Sequence, residues 1–187
     1  MWDISAETDF LYLTFDDGPV PKVTPYVLDL LKQYNAKATF FCVGENINKH
    51  PNVFQRIIDE GHAVGNHTYH HLNGWKTKND IYIDDIEKTN ALLPSNLFRP
   101  PYGKLRLSQI SNLKSQYKIV MWDVLSKDYD KAMTGEQCLQ RVLTKAKPGS
   151  IIVFHDNIKA FDRLQYALPK MLEYFSSKGF SFKKILL

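Results

Sequence analysis

The chain has 187 residues, 44% of them hydrophobic and 24% charged, and its 24 Lys and Arg against 20 Asp and Glu leave a formal net charge of +4. A charge that small and that dispersed argues against a nucleic-acid partner or a polybasic membrane patch, and no apolar run is long enough to read as a transmembrane segment. Nine glycines and nine prolines exclude collagen-like and low-complexity classes, and the length suits one domain, 1–187, with its core over about 10–187.

Taken in chain order, short apolar runs alternate with amphipathic segments. A strand over 10–15 comes first. Thr24-Pro25 reads as an N-cap and N1 pair opening a helix to about residue 34. A strand over 38–43 precedes a helix opened by Pro51, which carries Val53, Phe54, Ile57 and Ile58 and closes at Gly61. After a strand over 62–65, Asn79 can cap a helix bearing Ile83, Ile86 and Leu93 and halted by Pro94. A strand over 97–99, a short helix over 108–115 and a strand over 119–124 follow. Thr134 with Gln137 is a capping box for a helix to about residue 146. A strand over 150–154, a helix over 163–178 that Pro169 should kink or divide, and a strand over 180–185 complete the chain.

Seven strands alternating with six helices predict parallel βα units. Where the polar residues fall favours a distorted (β/α) barrel over an open doubly wound sheet. Asp16-Asp17-Gly18-Pro19 follows the first strand, and Asn66-His67-Thr68-Tyr69-His70-His71 follows the third. Arg99-Pro100-Pro101-Tyr102-Gly103 follows the fourth, Trp122-Asp123 ends the fifth with Asp128 close behind, and His155-Asp156 follows the sixth. In a parallel barrel all these strand ends share one rim, where loops build a site.

The residue types at that rim suit hydrolysis. Adjacent carboxylates on extended backbone point to opposite sides, so of Asp16 and Asp17 one can bind a cation while the other takes a proton. His67 and His71, four apart, present both imidazoles on one face of a helical turn, with His70 pointing away. Two imidazoles and a carboxylate suit a divalent first-row ion, zinc foremost, with a position left for water. A fixed Arg99 near Asp16 would hold that carboxylate ionised and oriented. Tyr102-Gly103 could offer backbone N–H groups to an oxyanion, and His155 could act as general acid. Trp75, Tyr102, Trp122 and Tyr129 are candidate stacking platforms.

Thr14-Phe15-Asp16-Asp17-Gly18-Pro19, His67-Thr68-x-x-His71, Arg99-Pro100-Pro101-Tyr102-Gly103 and Val153-Phe154-His155, in this order, resemble the motifs of the NodB-like polysaccharide deacetylases, carbohydrate esterase family four. The resemblance covers about residues 10–187. It implies a distorted (β/α) barrel and metal-dependent removal of N-acetyl, or in some members O-acetyl, groups from an acetylated amino-sugar polymer or oligomer. It assigns Asp16 as base, Asp17, His67 and His71 as ligands of zinc (cobalt or nickel as substitutes), Arg99 as the residue orienting the base, and His155 as acid. The Tyr102 amide would hold the oxyanion; apart from the resemblance, Trp122 is read as a substrate-binding candidate. Three positions depart from the family pattern. Leu125 stands where an aspartate is expected to tune the acid histidine, Tyr129 replaces a tryptophan, and Val153 replaces a leucine. Asp123 or Asp128 is the candidate to take over the tuning. The alternatives are a sugar-binding pseudoenzyme that keeps the fold and metal, and an amide hydrolase acting on a small non-sugar substrate.

Cys42 and Cys138 lack metal-site spacing and read as buried reduced thiols. Met1-Trp2-Asp3-Ile4-Ser5 lacks a basic and an apolar leader region. That start predicts a cytoplasmic chain, or a secreted or envelope protein whose targeting segment is absent.

Overall fold

The computed structural model describes residues 9–186; the start at Met1–Ser5 and Leu187 lie outside the described residues. Eight strands form one sheet: β1 (Phe10–Asp16), β2 (Thr39–Cys42), β3 (Ala63–Asn66), β4 (Leu97–Phe98), β5 (Lys118–Ile119), β6 (Val124–Leu125), β7 (Ile151–His155) and β8 (Ser181–Lys183). Every pairing is parallel, in the order β5-β4-β3-β2-β1-β7-β6. β8 joins β1 through residues 10–12, below the register Thr14–Asp16 that β2 takes. The helices are α1 (Val23–Gln33), α2 (Gly44–Lys49), α3 (Pro51–Asp59), α4 (Asn79–Asn90), α5 (Leu107–Leu113), α6 (Gly135–Lys145) and α7 (Phe161–Ser177). The sheet curls into a half-barrel, the distorted barrel expected from where the polar residues fall. Among the described residues no helix is long and apolar enough to cross a membrane.

Period-two alternation along β1 decides which side chains meet the helices and which enter the barrel. Leu11, Leu13 and Phe15 belong to the large core under the helices, where Phe15 stacks on Phe40 at 5.0 Å and where Cys42 and Cys138 are buried free thiols. Tyr12 packs with a smaller cluster of Phe41, Leu97, Val120, Ile151 and Ile185. Thr14 and Asp16 share the parity of Tyr12, so the last inward side chain of β1 is a carboxylate.

The structure departs from the sequence reading at several elements. The single strand expected over 119–124 is two: β5 pairs with β4 and β6 with β7, at opposite edges of the sheet. Residues 120–123 span the gap between them. The Val120 and Met121 carbonyls there accept hydrogen bonds from Arg99 (3.1 and 3.0 Å). A buried guanidinium thus satisfies the backbone groups in place of a strand.

α1 begins at Val23, and Thr24 is not its cap. The Thr24 hydroxyl instead accepts from the Val20 N–H and donates to Asp156. α4 starts at Asn79, with Lys78 in the cap position. Pro169 does not divide α7, which runs unbroken for 17 residues. α2 was not expected; at six residues it is too short to show a hydrophobic period. The capping box at Thr134 and Gln137 forms as read.

Candidate active site

The strand ends converge on one cavity of about 790 Å³, lined by Asp16, Asp17, His67, His71, Tyr102, Trp122 and His155 among others. Arg99 lies beneath Asp16, fully buried. Its Nη1 donates to Asp16 Oδ1 (2.8 Å) and to Thr14 Oγ1 (2.7 Å), and its guanidinium carbon stands 4.1 Å from the Phe41 ring centroid. With the bonds to Val120 and Met121, the guanidinium has four hydrogen-bond acceptors and an aromatic face. Burial is tolerable for such a charge only when it is paired and bonded in this way.

Asp17, one residue on, has φ of 83°, in the left-handed region. That turn carries its carboxylate away from Asp16 and toward the histidines. Asp17 Oδ1 lies 3.1 Å from His71 Nε2 and 3.6 Å from His67 Nε2. The two imidazoles do not share a helical face. Residues 67–71 form an irregular turn in which Thr68 (φ 62°) and His71 (φ 55°) are left-handed. Side chains build that turn. Asn66 accepts from the Thr68 N–H and donates to Ile86 O, while the Thr68 hydroxyl accepts from the Leu72 N–H. Buried Asp85 on α4 accepts from the Tyr69 and His70 N–H groups and pairs with His70 Nδ1 (2.5 Å). His70 therefore points away from Asp17, as the sequence suggests.

The polar atoms fit a divalent ion. His67 Nδ1 lies 2.7 Å from Arg99 O, and a carbonyl only accepts, so Nδ1 carries the proton and Nε2 presents a lone pair. Burial lowers the His67 pKa to about 4, which keeps the ring neutral. Asp17 Oδ1 is buried and has no hydrogen-bond donor. Burial alone would raise the Asp17 pKa, but the His71 ring, with His155 and His67 nearby, outweighs it and holds the carboxyl well below the usual range. An ionised oxygen thus faces an imidazole lone pair, which repels unless a cation lies between them. Ligand atoms of a tetrahedral zinc site stand about 3.3 Å apart, close to the two separations found here.

Asp128, not Asp123, partners His155. Asp128 is fully buried, and its Oδ1 meets His155 Nδ1 at 2.7 Å while Oδ2 accepts the His155 N–H at 2.8 Å. Burial opposes a charged His155, but Asp128 prevails and raises its pKa to about 9. Asp123 instead accepts from the Ser150 hydroxyl and the Ile151 N–H, at the start of β7. Leu125 lines the cavity as an apolar wall.

Tyr102 (φ 60°) is 61% exposed, with its ring 4.7 Å from that of His71. The hydrogen bonds of its turn run from the Gly103 and Lys104 N–H groups to Pro100 O and Pro101 O, which leaves the Tyr102 N–H outside the ladder. Trp122 and Tyr129 also line the cavity; Trp75, 56% exposed, does not. Sequence reasoning missed Asn66, Asp85 and Asn157. For Asn157 the signal was present: three polar residues, 155–157, end an otherwise apolar strand.

Comparison with known proteins identifies the family and the fold. The profile of the family described as Polysaccharide deacetylase matches residues 3–121. A peptidoglycan-N-acetylglucosamine deacetylase of Bacillus cereus is 40% identical over 91% of this chain, which spans 64% of that relative's length. The crystal structure of the Bc1960 peptidoglycan N-acetylglucosamine deacetylase superposes with a TM-score of 0.93 at 36% identity, over 98% of this chain and 89% of that one. A carbohydrate esterase family four pseudoenzyme from Bacillus anthracis superposes with a TM-score of 0.88 at 26% identity, over 99% of this chain and 66% of that one.

Proposed function

The chain belongs to the polysaccharide deacetylase family, and on that premise we propose that it is a metal-dependent hydrolase. It removes N-acetyl groups from an acetylated amino-sugar polymer, peptidoglycan foremost. One observation carries the reading. Asp17 Oδ1 and the Nε2 atoms of His67 and His71 lie within 4.8 Å of one another, at the wall of a cavity that also holds Asp16 and His155.

Asp17, His67 and His71 would hold the ion. When bound, a divalent metal such as zinc polarises the acetamide carbonyl and lowers the pKa of a water beside it. Asp16, with Oδ1 tied to Arg99, takes the proton of that water as the oxygen attacks the carbonyl carbon. The Tyr102 N–H donates to the developing oxyanion. His155 keeps Nδ1 on Asp128 and gives the Nε2 proton to the amide nitrogen as the C–N bond breaks. Water and an N-acetyl sugar thereby become acetate and a free amine. The sugar-binding alternative has less support, because the base pair Asp16–Arg99 and the acid pair His155–Asp128 are both intact.

Acetate release from peptidoglycan, N-acetylglucosamine oligomers and acetylated xylan tests the reading. The amino-sugar substrates are expected to turn over, a chelator to stop the reaction, and added zinc or cobalt to restore it. A zinc-loaded protein that releases no acetate from any of them overturns it.

The acid role carries its own pH signature. The protonated His155 is the active form, so activity is full below its pKa and falls as pH rises through it. Asp128→Asn removes the carboxylate that raises that pKa, and the alkaline limb of the kcat/KM profile moves to lower pH, toward or below the ordinary histidine value of about 6.5. An unmoved limb in that variant excludes His155 as the acid.

A further inference from the structure

We propose that Asn157 is a positioning residue that makes Asp17 a ligand through one oxygen only; the inference rests on the reading of Asp17 as a metal ligand. Asn157 Nδ2 donates to Asp17 Oδ2 at 2.6 Å. The other end of the same amide, Oδ1, accepts the Ala160 N–H at 2.9 Å, so the orientation of the amide is fixed by its second partner.

The backbone of Asp17 is tied as firmly. Its carbonyl accepts from Asn46 Nδ2 (2.7 Å), and the next N–H, of Gly18, donates to Asp156 Oδ1 (2.9 Å). Residue 18 must be glycine here, since a Cβ would sit 2.0 Å from Asp156 Oδ2. These bonds hold Asp17 at its left-handed φ. They leave one carboxylate oxygen occupied by Asn157 and the other without a donor, facing His67 and His71.

With Oδ2 engaged by the Asn157 amide and only Oδ1 facing the imidazoles, Asp17 presents a single oxygen to a cation. One oxygen and two imidazole nitrogens suit zinc or cobalt, whose sites are small and low in coordination number, and not calcium, which takes six to eight oxygens with bidentate carboxylates. Residues 155–157 thus serve the site three ways from one strand end: His155 onto Asp128, Asp156 under Gly18, and Asn157 onto Asp17.

Two variants separate this role from a simple contact at the start of α7. Asn157→Leu removes both bonds. Asn157→Asp keeps an acceptor for Ala160 but offers no N–H to Asp17. Zinc affinity by competition titration and the visible spectrum of the cobalt-loaded protein are the readouts, with the melting temperature of the metal-free protein checking the fold. Asn157→Leu is expected to bind zinc about 10–100-fold more weakly, and both variants to show an altered cobalt spectrum. The role is overturned if Asn157→Leu binds zinc within twofold of wild type, or if Asn157→Asp restores the wild-type cobalt spectrum. A wild-type protein that binds no zinc removes the reading of the metal site and this role together.

Discussion

Asp16→Asn is expected to lower kcat/KM for acetate release by about 10²–10⁴-fold, the range over which a positioned general base acts, while zinc still binds. The two effects separate because the two aspartates do separate work. Asp16 faces into the barrel and pairs with Arg99, whereas Asp17 turns toward the histidines. Asparagine keeps the shape of the side chain and an oxygen for Arg99, so the pocket stays filled while the proton acceptor, and with it the negative partner of Arg99, is lost. Acetate assays beside a zinc titration check it. Activity within a few-fold of wild type would remove Asp16 from the mechanism, and lost zinc binding would mean that the carboxylates share the ion.

The second large effect is on stability. Arg99→Leu is expected to destabilise the fold by about 3–5 kcal/mol, the usual consequence of breaking a buried pair by removing one partner. The substitution strands the Asp16 carboxylate and leaves the Thr14 hydroxyl and the Val120 and Met121 carbonyls short of a donor. The last two have no substitute, because β4 reaches only the Val120 N–H and no strand donates to the Val120 and Met121 carbonyls. At about 2–4 °C per kcal/mol for a domain of this size, the melting temperature falls by roughly 10 °C. Arg99→Lys recovers only part of the loss, since one ammonium cannot serve a planar fork of four acceptors. A fall below about 1 kcal/mol by chemical denaturation would show that the guanidinium is not what holds the gap between the two sheet edges.

Much of the rim was legible because parallel strands are apolar on both faces, so an ionisable residue ending such a run stands out. Asp16, His67, Arg99 and His155 were found in this way, and the cavity gathers them or, for Arg99, rests on it. The histidine pair was read correctly for convergence and wrongly for its cause. Spacing by four suggests a helix, but Asn66, Thr68 and Asp85 build a left-handed turn with the same result. Residues 119–124 were misread because extended backbone looks the same whether it pairs with one neighbour or changes partners partway.

The sequence by itself determined the strand–helix alternation outside α2 and residues 119–124, the parallel barrel and the chemical types at its rim, because these follow from local periodicity and from where polarity interrupts it. Tertiary structure alone decided that Asp128 rather than Asp123 holds His155, that Arg99 replaces a missing strand, and that Asn157 fixes one oxygen of Asp17. Such pairings join residues 27, 22 and 140 positions apart. Their partners are selected by distances and directions of a few ångströms that no local pattern encodes.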